Sequence, residues 1–315
     1  MNGWVLDPTT QHFLESVMKQ GAATARSFGE ARALFGRIQA APAGRPRAEI
    51  EILSVPTGPA GPVTVRIVRP RPRPAATPAI LHFPGGWWAL GDPETHDRLA
   101  REIAVGAQAA VFSVGYDRAP EACYPVAVEQ AYGATLFVAN EAGRLGIDDS
   151  RIAVLGDGFG GNLAAVVALL SKQRRGPRLA LQVLLTPVTS GDLDTGSYEC
   201  FAEGPWLTRE SMRRLWDAYL PDLSRRHEVT AAPLSALPLQ LSGLPEALVC
   251  VAENDVLRDE GEAYARKLCE AGVRTTSVRY NGAIHDFPVL NPLADTPAAR
   301  AVVAQVTSAF CSAFG

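Results

Sequence analysis

The stretch VLGDGFGGNLAA, from Val154 to Ala165, carries a β-type apolar run (151–155) through four glycines into an alanine- and valine-rich helical segment reaching residue 173. Glycine at such a junction forecasts a tight turn, because it has no Cβ to clash. A second glycine-bearing stretch, LHFPGGWWALGD from Leu81 to Asp92, also follows a strand-like run, 79–83. Outward from these two, apolar runs at 109–115, 179–187, 246–252 and 274–280 alternate with helix-like segments near 95–107, 125–144, 159–173 and 258–271. Buried β runs separated by helices predict a mostly parallel sheet with helices on both faces. Segments 49–55 and 63–69 alternate in the β manner around a turn-rich TGPAG and predict a strand pair. Residues 8–40 have helical spacing, with Phe13, Leu14, Val17 and Met18 on one face and Ala31, Leu34, Phe35 and Ile38 on another, and predict two amphipathic helices. Residues 191–240 interrupt the alternation with an amphipathic helix near 208–220, as an insertion over the sheet's carboxyl edge would. The Pro-rich stretch RPRPRPAATP, 69–78, reads as a rigid loop.

Composition narrows the classes. The chain has 315 residues, 47% hydrophobic and 20% charged, with a formal net charge of −3. Without a basic block it lacks the electrostatic footprint of a nucleic-acid binder. The most apolar stretch, Asn162 to Leu170, is too short to span a bilayer. The first twenty residues carry Asp7, Glu15 and a proline with no basic region ahead of an apolar run, so a cytoplasmic location is expected. Five scattered cysteines without CxxC or Cys/His spacing predict buried thiols, with neither a disulfide framework nor a metal site.

Together with YDRAPEACYPVAVEQ (116–130), ENDVLRDEGEAYARKLCEAGV (253–273) and YNGAIHDF (280–287), the two glycine stretches resemble the hormone-sensitive-lipase-like family of α/β-hydrolases, its bacterial carboxylesterase branch. The resemblance runs from about residue 45 onward and implies an α/β-hydrolase fold. Residues 46–190 and 241–315 would be the core, and residues 1–45 and 191–240 a two-part helical cap. The family's HGGG, GDSAGG, DPLRDEG and HGF motifs imply Asp255 and His285 as the acid and base of a catalytic triad. At the nucleophile position the family has serine and this chain has Gly158. Gly156, Gly160 and Gly161 keep the turn, but the attacking hydroxyl is gone, so no acyl-enzyme is expected there. Asp157 takes the family's own aspartate position, and Phe159 carries no nucleophile.

The resemblance also implies an oxyanion hole of backbone N–H groups from Gly85, Gly86 and Phe159. Pro84 stands where the family has histidine and Trp87 where it has the third glycine, so the pocket is expected to be narrower and more aromatic. Asp286, where the family has glycine, adds a carboxylate beside His285. His82, His96, Asp92 and Glu121 read as structural.

A histidine oriented by Asp255, with an ordinary pKa near ~6.5, suits proton transfer near neutral pH. The leading expectation is a cofactor-free, metal-free enzyme using the His285–Asp255 pair and backbone donors for elimination, isomerisation or cyclisation of a hydrophobic carbonyl compound, as in secondary metabolism. Plant cyclases on this scaffold give that reading an analogy. A carboxylesterase whose serine has been replaced at Gly158 is the second reading, and a non-catalytic receptor for a small molecule the third. The family's habits make a homodimer an expectation too.

Overall fold

The computed structural model describes residues 4–19, 27–72, 76–86 and 90–315. The expectation placed on Trp87, and part of the Pro-rich loop, lie outside the described residues. Among the described residues, eight strands form one sheet in the order β1-β2-β4-β3-β5-β6-β7-β8. β1 (Glu49–Pro56) and β2 (Pro62–Arg69) are the expected antiparallel pair, in register from Glu49 opposite Arg69 to Pro56 opposite Pro62. β2 also runs antiparallel to β4 (Ala110–Gly115). The other pairings, through β3 (Thr77–Phe83), β5 (Ile147–Asp157), β6 (Leu181–Leu185), β7 (Glu246–Asn254) and β8 (Thr275–Ile284), are parallel.

The helices are α1 (Pro8–Lys19), α2 (Phe28–Gln39), α3 (Asp97–Ala107), α4 (Val126–Asn140), α5 (Ala142–Leu145), α6 (Phe159–Gln173), α7 (Gly196–Cys200), α8 (Arg209–Tyr219), α9 (Pro238–Leu241), α10 (Arg258–Glu270) and α11 (Pro297–Phe314). Parallel crossovers are right-handed, so stepping from β3 to β4 and then back across β3 to β5 puts α3 and α4 on opposite faces. α11 packs with α3, and α4 with α6, which completes the two outer layers. Strands covered on both faces must be apolar along their length, and every residue of β3 is buried. α6 is buried from Phe159 to Ser171, which explains why its sequence is apolar almost all round.

α11 was not anticipated in the sequence reading, although Ala299, Val302, Val306, Phe310 and Phe314 bury one face at helical spacing. In α1, Phe13, Leu14 and Val17 are buried as expected, whereas Met18 is 72% exposed and is corrected to a surface residue. The cysteines are free, and only Cys250 is buried; Cys123, Cys200, Cys269 and Cys311 are exposed, contrary to the expectation of buried thiols. Among the described residues no helix is long and apolar enough to cross a membrane.

Between β6 and β7 the chain makes α7, α8 and α9 before returning to the sheet. Trp206 from this excursion packs its ring on Phe13 of α1, with centroids 5.4 Å apart. Asn162 of α6 reaches the same excursion by donating to the carbonyls of Val188 and Ala231 at 3.0 and 2.8 Å.

Candidate active site

The sheet itself gathers the site. β3, β5, β7 and β8 are parallel, so the residues following them, Pro84, Gly158, Asp255 and His285, emerge on one rim. The helix after β3 leaves to one face and the helix after β5 to the other, which opens a crevice at the carboxyl ends of these two neighbours. The register of Asn254 opposite Ile284 then sets Asp255 beside His285.

His285 Nδ1 lies 2.8 Å from Asp255 Oδ2, and Asp255 Oδ1 accepts the backbone N–H of Leu257 at 3.0 Å. Both side chains are buried. The other ring nitrogen, Nε2, faces Oδ1 of Asp286 at 3.3 Å. Burial works against charge on His285, but Asp255 and Asp286 outweigh it and raise the ring's pKa to about 9. The ring's pKa thus lies above the ordinary value expected for it, and its surroundings favour the imidazolium, an acid before it is a base. Asp286 is itself held above the usual carboxylate range, first by burial and then by Asp157, with His285 opposing.

The loop behind His285 is braced from three directions. Arg98 of α3 donates to the carbonyls of Pro288 and Val289 at 2.6 and 3.0 Å and to Asn291 Oδ1 at 2.9 Å. Gln39, ending α2, accepts from the Asn291 N–H at 2.9 Å and donates to the Val289 carbonyl at 3.1 Å. Trp206 donates from Nε1 to Asp286 Oδ2 at 3.0 Å. Trp206, Arg98 and Gln39 were missed in the sequence reading; each acts across a long stretch of chain, and no local pattern marks them.

Gly158 sits at the strand-to-helix junction with φ +51° and ψ −112°, a strained region for any residue with a Cβ. Its N–H donates to Leu185 at 2.8 Å, and its carbonyl accepts from Val188 at 3.0 Å. A Cβ at this position would lie 3.2 Å from His285 Nε2. Gly160, the second residue of α6, has no room for a Cβ against the backbone of Phe83, so α6 begins directly against the end of β3.

Of the three backbone donors expected at the oxyanion position, Gly85 is already committed, since its N–H donates to Asp157 Oδ1 at 3.1 Å. Gly86 follows it at φ +86°. Asp157 is fully buried, and His96 Nε2 stands 3.1 Å from its Oδ2. Burial opposes its ionisation, yet the charge of His96 holds it well below the usual carboxylate range. His96, opposed by burial and favoured by Asp157, is raised, whereas burial lowers His82, whose Nδ1 meets Ser113 Oγ at 2.8 Å. One His96–Asp157 ion pair thus ties the glycine loop after β3 to the turn after β5. Asp92 and Glu121 brace loops, through the Thr95 N–H at 2.9 Å and Arg32 at 2.7 Å.

Pro84 lines a cavity of about 600 Å³ with Arg66, Tyr116 and Arg118, and neither His285 nor Asp286 lines it. Its carbonyl accepts the Tyr116 hydroxyl at 2.6 Å. Among the described residues no three His, Cys, Asp or Glu side chains are grouped to hold a metal ion.

Comparison with known proteins bears on the fold and the family. Residues 80–289 match a family model described as the alpha/beta hydrolase fold. A thermostable esterase from Pseudomonas putida ECU1011 superposes with a TM-score of 0.95 at 43% identity, covering 98% of both chains. A carboxylesterase of Mycobacterium tuberculosis is 36% identical over 278 residues, 87% of each chain. An ethyl acetate hydrolase of Pseudomonas putida is 35% identical over 263 residues, 82% of each.

Proposed function

The chain belongs to the α/β-hydrolase fold family, and on that premise we propose that it is an enzyme on an esterase scaffold that works without an acyl-enzyme. Gly158 stands at the nucleophile position, and the observation that carries this reading is the 3.2 Å between its Cβ direction and His285 Nε2. The ring that would activate a hydroxyl there faces a residue that has none. What is left is proton chemistry. His285, resting as an imidazolium, lends its Nε2 proton to the carbonyl oxygen or leaving group of a bound ligand; the neutral ring then takes a proton from an adjacent carbon. The amide of Gly86, in the glycine loop after β3, polarises the same carbonyl. Isomerisation, elimination or ring closure of a hydrophobic carbonyl compound needs no further cofactor. Residues 1–45 and 191–240 act as the cap over this site.

The esterase relatives favour a second reading, a carboxylic ester as the ligand. Hydrolysis would then pass through water delivered by His285, and would be slow beside an acyl-enzyme route. Tight binding without conversion would mark a receptor.

The test is turnover of short-chain esters and of enolisable carbonyl compounds by the native protein and by His285→Ala. Loss of a carbonyl-compound turnover in His285→Ala supports the proposal; a full rate in that variant, or brisk ester hydrolysis by the native protein, overturns it.

A further inference from the structure

We propose that Asp286 is a positioning residue for His285: its carboxylate stands beside the ring nitrogen that Asp255 does not hold, favours the protonated ring by its charge, and joins the ring to the covering segment through Trp206. This rests on the reading of His285 as the working acid–base group.

The geometry carries it. Asp286 Oδ1 is 3.3 Å from Nε2, and Oδ2 accepts from Trp206 Nε1 at 3.0 Å, so the two oxygens face different elements. Among the described residues neither Oδ1 nor Nε2 has a hydrogen-bond partner, and both are buried, so they meet as charges rather than as donor and acceptor. A carboxylate is costly to bury unless something pays for it in charge, and the imidazolium is the neighbour able to do so. The backbone is also shaped to turn this side chain inward. Asp286 has φ +62°, a region that favours glycine and tolerates Asp and Asn, and its carbonyl accepts the N–H groups of Val289 and Leu290 at 2.8 and 3.0 Å.

The charged groups acting on the pair are Asp255 after β7, Asp157 at the end of β5 and His96 at the start of α3. The negative charges of Asp255 and Asp286 both favour a proton on the ring, Asp255 through its contact with Nδ1 and Asp286 from 3.3 Å beside Nε2. Because Oδ2 is tied to Trp206, and Trp206 to Phe13 of α1, the placement of the Asp286 charge depends on the covering segment being in place.

The experiment is a pH titration of the His285 imidazole in the intact protein by ¹⁵N NMR, without ligand, for the native chain, Asp286→Asn and Asp286→Gly. Both replacements suit φ +62°, and Gly covers the case in which Asn fails to fold. The native ring is expected to titrate at about 9, and either variant to titrate at least ~1 unit lower, a tenfold loss of proton affinity. A midpoint unchanged in a folded variant overturns the proposal. No substrate enters the measurement, so a protein later found to hydrolyse esters would sink the proposed function and leave this result standing, and the converse also holds.

Discussion

A Cβ on Gly158 would stand 3.2 Å from Nε2 of His285. Serine at this position would therefore put its hydroxyl beside a ring that is already protonated near neutral pH. Gly158→Ser is expected to gain hydrolysis of short-acyl aryl esters only on the alkaline side, rising as His285 loses its proton at about 9. The strained backbone should cost the variant ~1–3 kcal/mol of stability. A rate profile across the alkaline range checks this; full activity already at neutral pH would show His285 to be an ordinary base.

Asp255 holds His285 through Oδ2 and the Leu257 N–H through Oδ1. Asp255→Asn presents an amide that can meet Nδ1 in the wrong tautomer and removes a charge that supports the cation. Turnover is expected to fall by roughly two to four orders of magnitude with the fold retained. Steady-state kinetics alongside circular dichroism would show whether the loss is chemical.

The His96–Asp157 pair makes a prediction about stability and its pH dependence. Asp157 is lowered, so its contribution is present above the unfolded value near ~3.9 and is lost as pH falls toward the folded one. His96 is raised, so its contribution is present below ~6.5 and is lost as pH rises through the folded value. Asp157→Asn leaves the His96 charge buried without its partner and should cost ~3–5 kcal/mol near neutral pH. Denaturant unfolding should show the native protein losing more stability than the variant on acidification through the carboxylate range, where Asp97 and Glu121 contribute to both.

Glu260 of α10 is buried and accepts the N–H groups of Thr189 and Ser190 at 2.6 and 3.1 Å. Burial raises it to about 8, so it is neutral in the folded protein near neutral pH. A raised group stabilises fully below its unfolded value, near ~4.3, and loses that contribution as pH rises through the folded one. Glu260→Gln should thus match the native melting temperature in mild acid and exceed it above pH 8. A native curve that stays flat across this range would contradict the assignment.

The strands were legible because a sheet covered on both faces forces continuous apolar runs, as in β3 and β7. The turn at Gly158 was legible because its neighbours admit nothing larger. The C-terminal helix left a helical spacing of buried residues that could have been read and was not. Asp286 beside His285 could be read in the sequence; how it is held, by a left-handed backbone and by Trp206 eighty positions away, could not, because sequence distance hides the contact. The same is true of Gly85, whose amide looks available in sequence and is bound to Asp157 in the structure.

The central claim is that no side chain at this site forms a covalent acyl intermediate, and intact-protein mass spectrometry after exposure to a serine-directed fluorophosphonate tests it most directly. The native chain is predicted to remain unlabelled at the site, while Gly158→Ser acquires one adduct that maps to position 158 at alkaline pH. Stoichiometric labelling of the native chain at any residue around His285 would contradict the account.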